Sequence, residues 1–289
     1  MKLSVVIPCY NAADTIAEQL EAFTRESWSQ PWEIVVVDNR SSDNSMAIVK
    51  QFQERLPNLR IVQAWDRQGQ PYALNTGVES ARGESVALCD ADDVIGQDWV
   101  AFMGDALADH DFVACRFDTV KLNDDWLANS RANNQQDGLQ QYKYPPFLPH
   151  AGGGSIGFKR DLHALVAGFD EALPMLHDTD FCWKLQLKGY EIQFVPEAVM
   201  YIRFRSSFST IYRQARNYAE YNVLLYKRYQ PFGMPKLSLT EGVRQWAPLF
   251  RPRRLLKLRH KAQSARWVWQ LGWRVGRVRG SIKHRILAF

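Results

Sequence analysis

The chain has 289 residues, a length that fits one large domain or one domain with an appendage. Hydrophobic residues make up 46% of it and charged residues 23%, a balance that excludes a largely disordered chain. No uncharged apolar run reaches the length of about 18 residues that a membrane-spanning helix needs. The four scattered cysteines lack the spacing of a metal site and are predicted to be buried thiols of a cytoplasmic protein.

The net charge of +5 is unevenly distributed along the chain. Residues 242–289 contain 13 Lys and Arg but no Asp or Glu, which leaves 23 basic and 31 acidic residues in the rest. The main part of the chain therefore carries a net charge of −8, and the excess of basic residues belongs to the C-terminal segment alone.

The first half of the chain alternates between two kinds of pattern. Five apolar runs predict strands that are buried on both faces, at residues 3–7, 34–37, 59–62, 85–88 and 112–117. Between the strands, apolar residues recur at helical spacing, as in Ile16, Leu20 and Phe23. Strand and helix alternate four times, which predicts an α/β fold with an open, mostly parallel sheet and helices on both faces.

The second half begins with a polar segment, residues 121–149, which predicts a long loop. The elements predicted after it are a strand at 155–158, a helix at 178–188, a strand at 199–203 and a helix at 207–229. Four prolines between residues 231 and 252 then interrupt the chain. We therefore expect a domain at residues 1–230, with halves of about 1–115 and 116–230, and a helical basic tail at 231–289.

Polar segments follow the predicted strands of the first half. In an open α/β sheet, ligands bind outside the carboxyl ends of the strands. The segments at those ends are residues 8–11, 38–43, 67–69 and 90–93. Each alone has the composition of a helix cap or turn, because Asn, Asp and Ser favour those positions. Four such segments at one edge of a sheet predict a binding site.

The acidic segment Asp90-Ala91-Asp92-Asp93 follows an apolar strand directly. Such a cluster of carboxylates is electrostatically costly unless a cation neutralises it. Hard oxygen ligands favour Mg²⁺ or Mn²⁺, which bind jointly with phosphate oxygens, so Asp90 and Asp92 are predicted metal ligands. The alternative is an acidic cap at a helix N-terminus.

A second acidic segment opens the predicted helix at 178–188. Asp178 is the predicted general base, because a hydroxyl acceptor must lose its proton as it attacks and a carboxylate within reach accepts it. A helix cap is again the alternative. The glycines at 152–154 predict either a close approach of the backbone to a ligand or a flexible turn.

Seven short motifs together resemble those of the inverting glycosyltransferase family 2, whose members have the Rossmann-like GT-A fold. The motifs are VVIPCYN at 5–11, VDNRSSD at 37–43, ALNTG at 73–77, ARGE at 81–84, DADD at 90–93, HDTDF at 177–181 and KGY at 188–190. Each motif is weak alone, but the seven occur in the family's order over about residues 1–230. The resemblance implies transfer of a sugar from a nucleotide sugar, with a UDP-sugar as the preferred donor.

The resemblance also implies roles for single residues. The residues that it places in the nucleobase pocket are Pro8, Tyr10, Asp38, Arg67 and Gly69. It places Asp90 near the ribose and Asp92 on the metal at the diphosphate, with Ala91 between them.

Asp178 matches the acid of the family's Glu-Asp motif, which is its catalytic base. Here His177 replaces the usual Glu, which makes Asp180 an alternative base. Family members often bring a late histidine to the metal, but residues 201–205 read Tyr-Ile-Arg-Phe-Arg. We therefore expect an arginine to contact the diphosphate instead.

The tail combines basic residues with tryptophans. On a helical wheel, its apolar residues form a stripe roughly 100° wide. They are Trp267, Leu271, Val275, Val278, Ile282, Ile286 and Phe289. This pattern predicts binding to an anionic membrane surface, at the inner face of the plasma membrane; the alternative is that the stripe docks on the catalytic domain. No nucleic-acid partner is expected, because no recognition motif accompanies the charge.

The leading hypothesis is thus an inverting glycosyltransferase that acts on a hydroxyl acceptor, such as a lipid-linked glycan of the cell envelope. One alternative is a nucleotidyltransferase that makes the sugar nucleotide, but the segment after the first strand lacks the Gly-rich basic loop of those enzymes. Another is a nucleotide-sugar-binding module without activity, which the intact Asp90, Asp92 and Asp178 disfavour.

Overall fold

The computed structural model describes residues 1–252 and 256–288, which form two compact units. The first unit comprises Met1–Lys121, Asn133–Gln140 and Pro149–Arg203. The second comprises Leu122–Ala132, Gln141–Leu148 and the described part of Phe204–Phe289. The domain at residues 1–230 and its two halves stay predictions, as does the tail boundary at 231.

The first unit contains a single eight-stranded sheet. Its strands are β1 (Leu3–Cys9), β2 (Trp32–Asp38), β3 (Leu59–Gln63), β4 (Ser85–Leu88), β5 (Val94–Ile95), β6 (Phe112–Asp118), β7 (Ile156–Lys159) and β8 (Gln193–Tyr201). The order across the sheet is β3-β2-β1-β4-β7-β6-β8-β5. Strands β1 to β4 are parallel to one another, as the sequence predicted, so their carboxyl ends share one edge. The α/β fold class is confirmed.

Helices cover both faces of this sheet. Those of the first unit are α1 (Ile16–Phe23), α2 (Ser45–Phe52), α3 (Gln70–Ser80), α4 (Trp99–Asp109), α6 (Arg160–Leu165) and α7 (His177–Gln186). The two neighbouring residues Gly157 and Phe158 of β7 face opposite sides, because strand residues alternate. Gly157 lies against Met103 of α4, whereas Phe158 packs on Phe181 of α7 at a ring distance of 4.9 Å.

Strand β7 runs in the direction opposite to strands β1 to β4. It pairs antiparallel with β4, with Ala87 opposite Gly157, so the start of β7 lies beside the end of β4. A short 3-10 turn, Gly153–Ser155, leads into β7 at that point. The glycine segment is therefore brought to the edge of the sheet where the acidic segment follows β4.

The last strand of the sheet is longer than predicted. Strand β8 begins at Gln193, whereas the sequence placed its start at residue 199. The pairing of β8 with β6 shifts register between Val195 and Val199, which leaves Pro196 without a partner in the ladder. Proline cannot donate to a ladder, and the polar residues around it hid the strand in the sequence. The two-residue strand β5 and helix α6 were also not predicted.

The second unit contains the helices α5 (Asp125–Ala128), α8 (Phe208–Tyr229), α9 (Leu239–Arg244) and α10 (Lys261–His284). Helix α10 packs along α8 through a row of glycines, Gly272, Gly276 and Gly280, spaced four residues apart. A Cβ on Gly272 would lie 2.6 Å from the carbonyl oxygen of Tyr212, so the two backbones are in close contact.

The apolar stripe predicted for the tail lies on the other side of α10. Its described residues before Ile282 are half-buried, and Ile282 itself is 75% exposed. Phe289, the last residue of the predicted stripe, lies outside the described residues. In the part of the chain that is described, no helix is both long enough and apolar enough to cross a bilayer.

All four cysteines are buried and unpaired, as predicted. Burial raises the pKa of the Cys9 thiol to about 11 and that of Cys115 to about 12. These thiols belong to the core of the sheet rather than to a redox or metal site.

Candidate active site

Three carboxylates converge after strand β4. Oxygen atoms of Asp90, Asp92 and Asp93 lie within 4.8 Å of one another. Asp90 and Asp92 are half-buried, and Asp93 is buried. Burial and the charges of the other two acids raise the pKa of Asp93 well above its usual value. Three hard oxygen donors at this spacing suit Mg²⁺ or Mn²⁺. Asp90 and Asp92 were predicted as ligands from the sequence. Asp93 was not, although it belongs to the same acidic segment.

The backbone of the acidic segment is held by side chains at the start of α1, including its N-cap Thr15, and by one from the segment after β8. Thr15 Oγ1 donates to the carbonyl oxygen of Ala91 at 3.0 Å. Gln19 Nε2 donates to the carbonyl of Asp90 at 3.3 Å, and Arg203 Nε donates to that of Asp92 at 3.0 Å. These bonds fix the direction in which the carboxylates leave the backbone.

Arg203 has its guanidinium beside the acidic segment. It also pairs with Glu18 of α1, and its backbone N–H donates to Asp93 Oδ1 at 2.8 Å. From the sequence, we expected an arginine of residues 201–205 to contact the diphosphate. The structure places Arg203 against the backbone of Asp92, which is the predicted location of the diphosphate, and the contact itself stays a prediction.

Asp178 lies in the first turn of α7, where the helix dipole favours a negative charge. Its Oδ2 accepts a hydrogen bond of 2.9 Å from the backbone N–H of Gly153, and its Oδ1 accepts one of 2.7 Å from Thr179 N–H. The carboxylate is half-buried. Asp178 is therefore fixed in orientation by two backbone donors.

The glycine turn touches both acidic groups of the site. A Cβ on Gly153 would lie 3.4 Å from Asp178 Cβ, and a Cβ on Gly154 would lie 3.1 Å from Asp90 Oδ2. Consecutive residues of one turn thus contact the predicted base and the predicted metal ligand. Of the two interpretations of residues 152–154, this geometry favours close approach of the backbone to a site over a flexible turn.

A buried glutamine holds the glycine turn in place. Gln135 Oε1 accepts from Gly152 N–H at 2.9 Å, while its Nε2 donates to Ser155 Oγ at 2.7 Å and to Cys115 O at 2.8 Å. Gln135 comes from the polar segment 121–149, which the sequence assigned only to a loop. No pattern in the sequence singled it out.

The two neighbours of Asp178 have different surroundings. Asp180 is fully buried and pairs with Lys184 one helical turn later, at 2.9 Å. His177 is buried, which lowers its pKa although the charges of Asp178 and Asp180 oppose the shift. Asp180 is thus engaged in the interior, and Asp178 is the acid of this segment that reaches partly exposed surface.

The residues predicted for the nucleobase lie at the ends of β1, β2 and β3. Pro8 lies near the end of β1 and Tyr10 directly follows that strand, where it is 51% exposed. The Asp38 carboxylate is buried at the end of β2, where it accepts a hydrogen bond from Trp65 Nε1 at 2.9 Å. Trp65 was not among the predicted site residues.

Arg67 and Gly69 belong to a neighbouring cavity of about 300 Å³. The other residues that line it are Gln68, Pro71, Tyr72, Glu171 and Pro174. Arg67 pairs with Glu171 at 2.6 Å, and its guanidinium lies 4.7 Å from the centre of the Tyr72 ring. Arg67 thus already has an acidic partner within its own unit.

An α/β sheet with a carboxylate cluster after β4 and a second, oriented carboxylate across a glycine turn has the architecture of a GT-A glycosyltransferase. The family model described as "Glycosyl transferase family 2" matches residues 4–165, and that described as "Glycosyl transferase family group 2" matches residues 85–282. The chain belongs to glycosyl transferase family 2. The first match includes the acidic segment after β4, and the second extends over Asp178.

Two curated relatives are similar to parts of the chain. "Uncharacterized glycosyltransferase YibD" of Escherichia coli K12 is 36% identical over 126 residues, which cover 43% of this chain and 34% of the relative. The "Poly-beta-1,6-N-acetyl-D-glucosamine synthase" of Staphylococcus epidermidis is 24% identical over 258 residues, covering 82% and 59%. For three of the curated relatives, the match spans only 34%, 16% and 33% of the relative's length.

Among solved structures, the fold is similar to that of the mannosyltransferase PcManGT from Pyrobaculum calidifontis in complex with GDP-Man and Mn²⁺. The TM-score is 0.64 at 21% identity, over 96% of this chain and 87% of that one. At this identity the similarity establishes the GT-A fold alone.

Proposed function

We propose that the chain is an inverting glycosyltransferase that transfers a sugar from a nucleoside-diphosphate sugar to a hydroxyl acceptor. The observation that carries the proposal is the contact of one glycine turn with two acidic groups. Gly154 lies against Asp90 of the carboxylate cluster, and Gly153 donates to Asp178. In such a site, the carboxylate cluster can hold a diphosphate through a cation. Asp178 can accept a proton from the acceptor hydroxyl.

Asp90 and Asp92 would hold the cation, Mg²⁺ or Mn²⁺, and Asp93 would complete the set. The chemistry that the cation supplies is neutralisation of the charge that develops on the departing diphosphate. Two observations support this assignment: oxygens of three carboxylates lie within 4.8 Å of one another, and the charges of Asp92 and Asp90 add to the effect of burial in raising the pKa of Asp93. A relative in fold holds GDP-Man together with Mn²⁺.

Asp178 would act as the general base. Its carboxylate receives the proton of the acceptor hydroxyl while the hydroxyl oxygen forms a bond to the anomeric carbon of the sugar. The bond from that carbon to the diphosphate oxygen breaks in the same step, and the nucleoside diphosphate leaves with the electron pair. Attack from the side opposite the leaving group inverts the configuration. Hydrogen bonds from Gly153 and Thr179 hold the carboxylate without occupying all of its lone pairs.

The substrate class follows from the relatives and is a proposal, because the chain matches only part of the length of the relatives compared above. One relative is named as a synthase of a β-1,6-linked N-acetylglucosamine polymer. We therefore expect a cell-surface polysaccharide or glycolipid as the product. A UDP-sugar remains the preferred donor, and a GDP-sugar is the competing one, as in the structural relative.

The second unit would hold the enzyme at an anionic membrane where a lipid-linked acceptor is found. Helix α10 uses its glycine row for packing, so its apolar stripe is not needed to dock the helix on α8. Three apolar residues of the basic tail are largely exposed, namely Phe250 at 59%, Leu256 at 70% and Ile282 at 75%. Exposed apolar side chains among basic residues are typical of a surface that binds anionic headgroups.

The experiment is a panel of UDP- and GDP-sugars, assayed by calorimetry and by release of nucleotide, with and without Mn²⁺. The proposal expects metal-dependent binding of one donor and release of the nucleoside diphosphate when an acceptor is added. Release of pyrophosphate from a nucleoside triphosphate and a sugar 1-phosphate, tested in a parallel assay, would instead indicate a nucleotidyltransferase. Binding without turnover of any acceptor or of water would indicate a module without activity. The anomeric configuration of the product, read by NMR, decides between inversion and retention.

A further inference from the structure

The loop after strand β3 is fixed to the end of β2 by one side chain. Asn39 Nδ2 donates to the carbonyl oxygens of Ala64 at 2.6 Å and Arg67 at 2.8 Å, and Asn39 Oδ1 accepts from Gly69 N–H at 2.7 Å. Asn39 is itself buried. Trp65 lies between these anchor points, so its backbone has little freedom to move when a ligand arrives.

The Trp65 side chain combines a bound N–H with an exposed ring. Its Nε1 donates to Asp38 Oδ2 at 2.9 Å, while Ser41 N–H donates to Asp38 Oδ1 at 2.9 Å. The Asp38 residue is 4% exposed, whereas Trp65 is 49% exposed and Tyr10 of the adjoining segment 51%. A buried carboxylate is therefore flanked by large, exposed aromatic residues of two adjacent loops.

We propose that Trp65 positions the donor's nucleobase by fixing the Asp38 carboxylate through the indole N–H; this inference rests on the proposed function. Each carboxylate oxygen accepts more than one hydrogen bond, so Asp38 keeps acceptor capacity after Trp65 and Ser41 have donated. The two donors determine how the plane of the carboxylate is turned. They thereby determine where the remaining lone pairs point.

The consequence is selection for a base that carries a ring N–H. Uracil at N3 and guanine at N1 present a donor that a fixed carboxylate can accept. Cytosine and adenine present an acceptor nitrogen at the same ring position, so its lone pair would face the carboxylate. A site built to accept a hydrogen bond rejects an analogue that cannot donate it, because the buried polar group is left unpaired. A carboxylate free to rotate would lose much of this discrimination.

The test uses three variants of the full chain. Trp65→Phe keeps an aromatic ring and removes the N–H, and Trp65→His keeps a ring N–H donor on a smaller ring. Trp28→Phe is the matched control, because Trp28 Nε1 donates to Asp105 Oδ1 at the same distance, 2.9 Å, in a surface contact beside α4. Binding of UDP, GDP and CDP is measured by calorimetry with Mn²⁺, and thermal unfolding is measured in parallel.

We expect Trp65→Phe to weaken binding of the preferred nucleotide about tenfold, the usual scale for a hydrogen bond to a charged group. The preference over CDP should shrink by a similar factor, and Trp65→His should restore part of it. Trp28→Phe should leave both quantities unchanged. An unchanged preference in Trp65→Phe, or an equal loss for all three nucleotides with a lower melting temperature, overturns the inference. If the wild-type chain binds none of the nucleotides, the proposed function fails instead.

Discussion

The backbone N–H of Gly153 donates a 2.9 Å hydrogen bond to Oδ2 of Asp178. The two residues are 25 positions apart, and the bond joins the turn before β7 to the first turn of α7. A side chain on the next glycine, Gly154, would press on Asp90. The crowding at Gly154 favours a residue without a Cβ there, whereas a Cβ on Gly153 would be in ordinary contact with Asp178.

Removing a predicted metal ligand should abolish transfer. Asp92→Asn loses a charge from a half-buried cluster, so we expect no detectable metal-dependent donor binding and an unchanged melting temperature. Calorimetry with the nucleotide, with and without Mn²⁺, is the measurement. Asp109→Asn, at an exposed position at the end of α4, is the control and should behave as wild type. Full turnover in Asp92→Asn would refute the metal assignment.

Removing the predicted base should slow the chemical step. Asp178→Asn keeps the shape of the side chain, and we expect kcat to fall by roughly 10²–10⁴ with donor affinity nearly unchanged. Steady-state kinetics and donor titration measure the two effects. Asp180→Asn is the companion variant: because Asp180 is buried against Lys184, it should lower the melting temperature more than kcat. A stable Asp180→Asn that has lost turnover would move the base by two residues.

Stability should fall as the solution becomes acidic, in part through His163. Burial lowers the pKa of His163 from 6.5 to about 4, so the unfolded chain binds its proton more readily than the folded chain does. The contribution of this residue is complete above about pH 6.5 and is lost progressively as the pH falls towards about 4. His163→Gln keeps a donor for Asn75 Oδ1, which the ring nitrogen contacts at 2.9 Å, but it does not titrate in this range.

We therefore expect the melting temperature of His163→Gln to fall less than that of wild type between pH 7 and pH 5. Thermal unfolding at several pH values measures the difference. His110→Gln, at an exposed position, is the control and should keep the wild-type slope. Parallel curves for wild type and His163→Gln would contradict the role of His163.

The packing of the glycine row of α10 predicts whether Gly→Ala raises or lowers the melting temperature. In an exposed helix, Gly→Ala stabilises by about 1 kcal/mol. In Gly272→Ala the new methyl would lie 2.6 Å from the carbonyl oxygen of Tyr212, which belongs to the backbone of α8 and has little freedom to yield. We expect a lower melting temperature, measured by calorimetry. Gly138→Ala, where no atom lies within 4 Å of the new carbon, should be neutral. A stabilised Gly272→Ala would show that α10 and α8 can separate at little cost.

The basic tail, residues 231–289, should bind anionic vesicles through its exposed apolar residues. Replacement of Phe250, Leu256 and Ile282 by serine should reduce co-sedimentation with vesicles that contain phosphatidylglycerol. Binding by the wild type should weaken at 1 M salt, where the Debye length falls to about 3 Å. The matched control replaces three exposed apolar residues of the first unit by serine, namely Val120, Leu165 and Leu187. Equal sedimentation of both triple variants would remove the membrane role.

Most of the parallel half of the sheet could be predicted from sequence, because each of its strands is a short apolar run followed by polar residues. Asp90, Asp92 and Asp178 could be singled out as candidates because acidic clusters after strands and at helix starts carry a physical signal, and their roles stay predictions. Family membership, inferred from the motifs, is confirmed by the family match, and the α/β fold class, inferred from the alternation of strands and helices, is confirmed by the sheet.

Other residues of the candidate site could not be predicted, because no pattern in the neighbouring sequence singles them out. Gln135 lies in a polar segment with no periodicity, and its role depends on bonds to residues 17 and 20 positions away. Trp65 reads as a single exposed aromatic residue in a loop, and only the fold brings it to Asp38. Strand β8 was predicted too short because Pro196 interrupts its pattern, although the bulge in the sheet accommodates that proline.

The pairing of β4 with β7 has a consequence for folding. The strands are about 70 residues apart in the chain, with Ala87 opposite Gly157, and a slip of one residue would displace the glycine turn by about 3.3 Å. Contacts between distant segments form late, because the intervening chain must first be closed into a loop. The candidate active site is thus assembled by a pairing between strands that are distant in the chain. During refolding, activity should return only after helical structure has formed, which makes catalysis a sensitive reporter of complete native order.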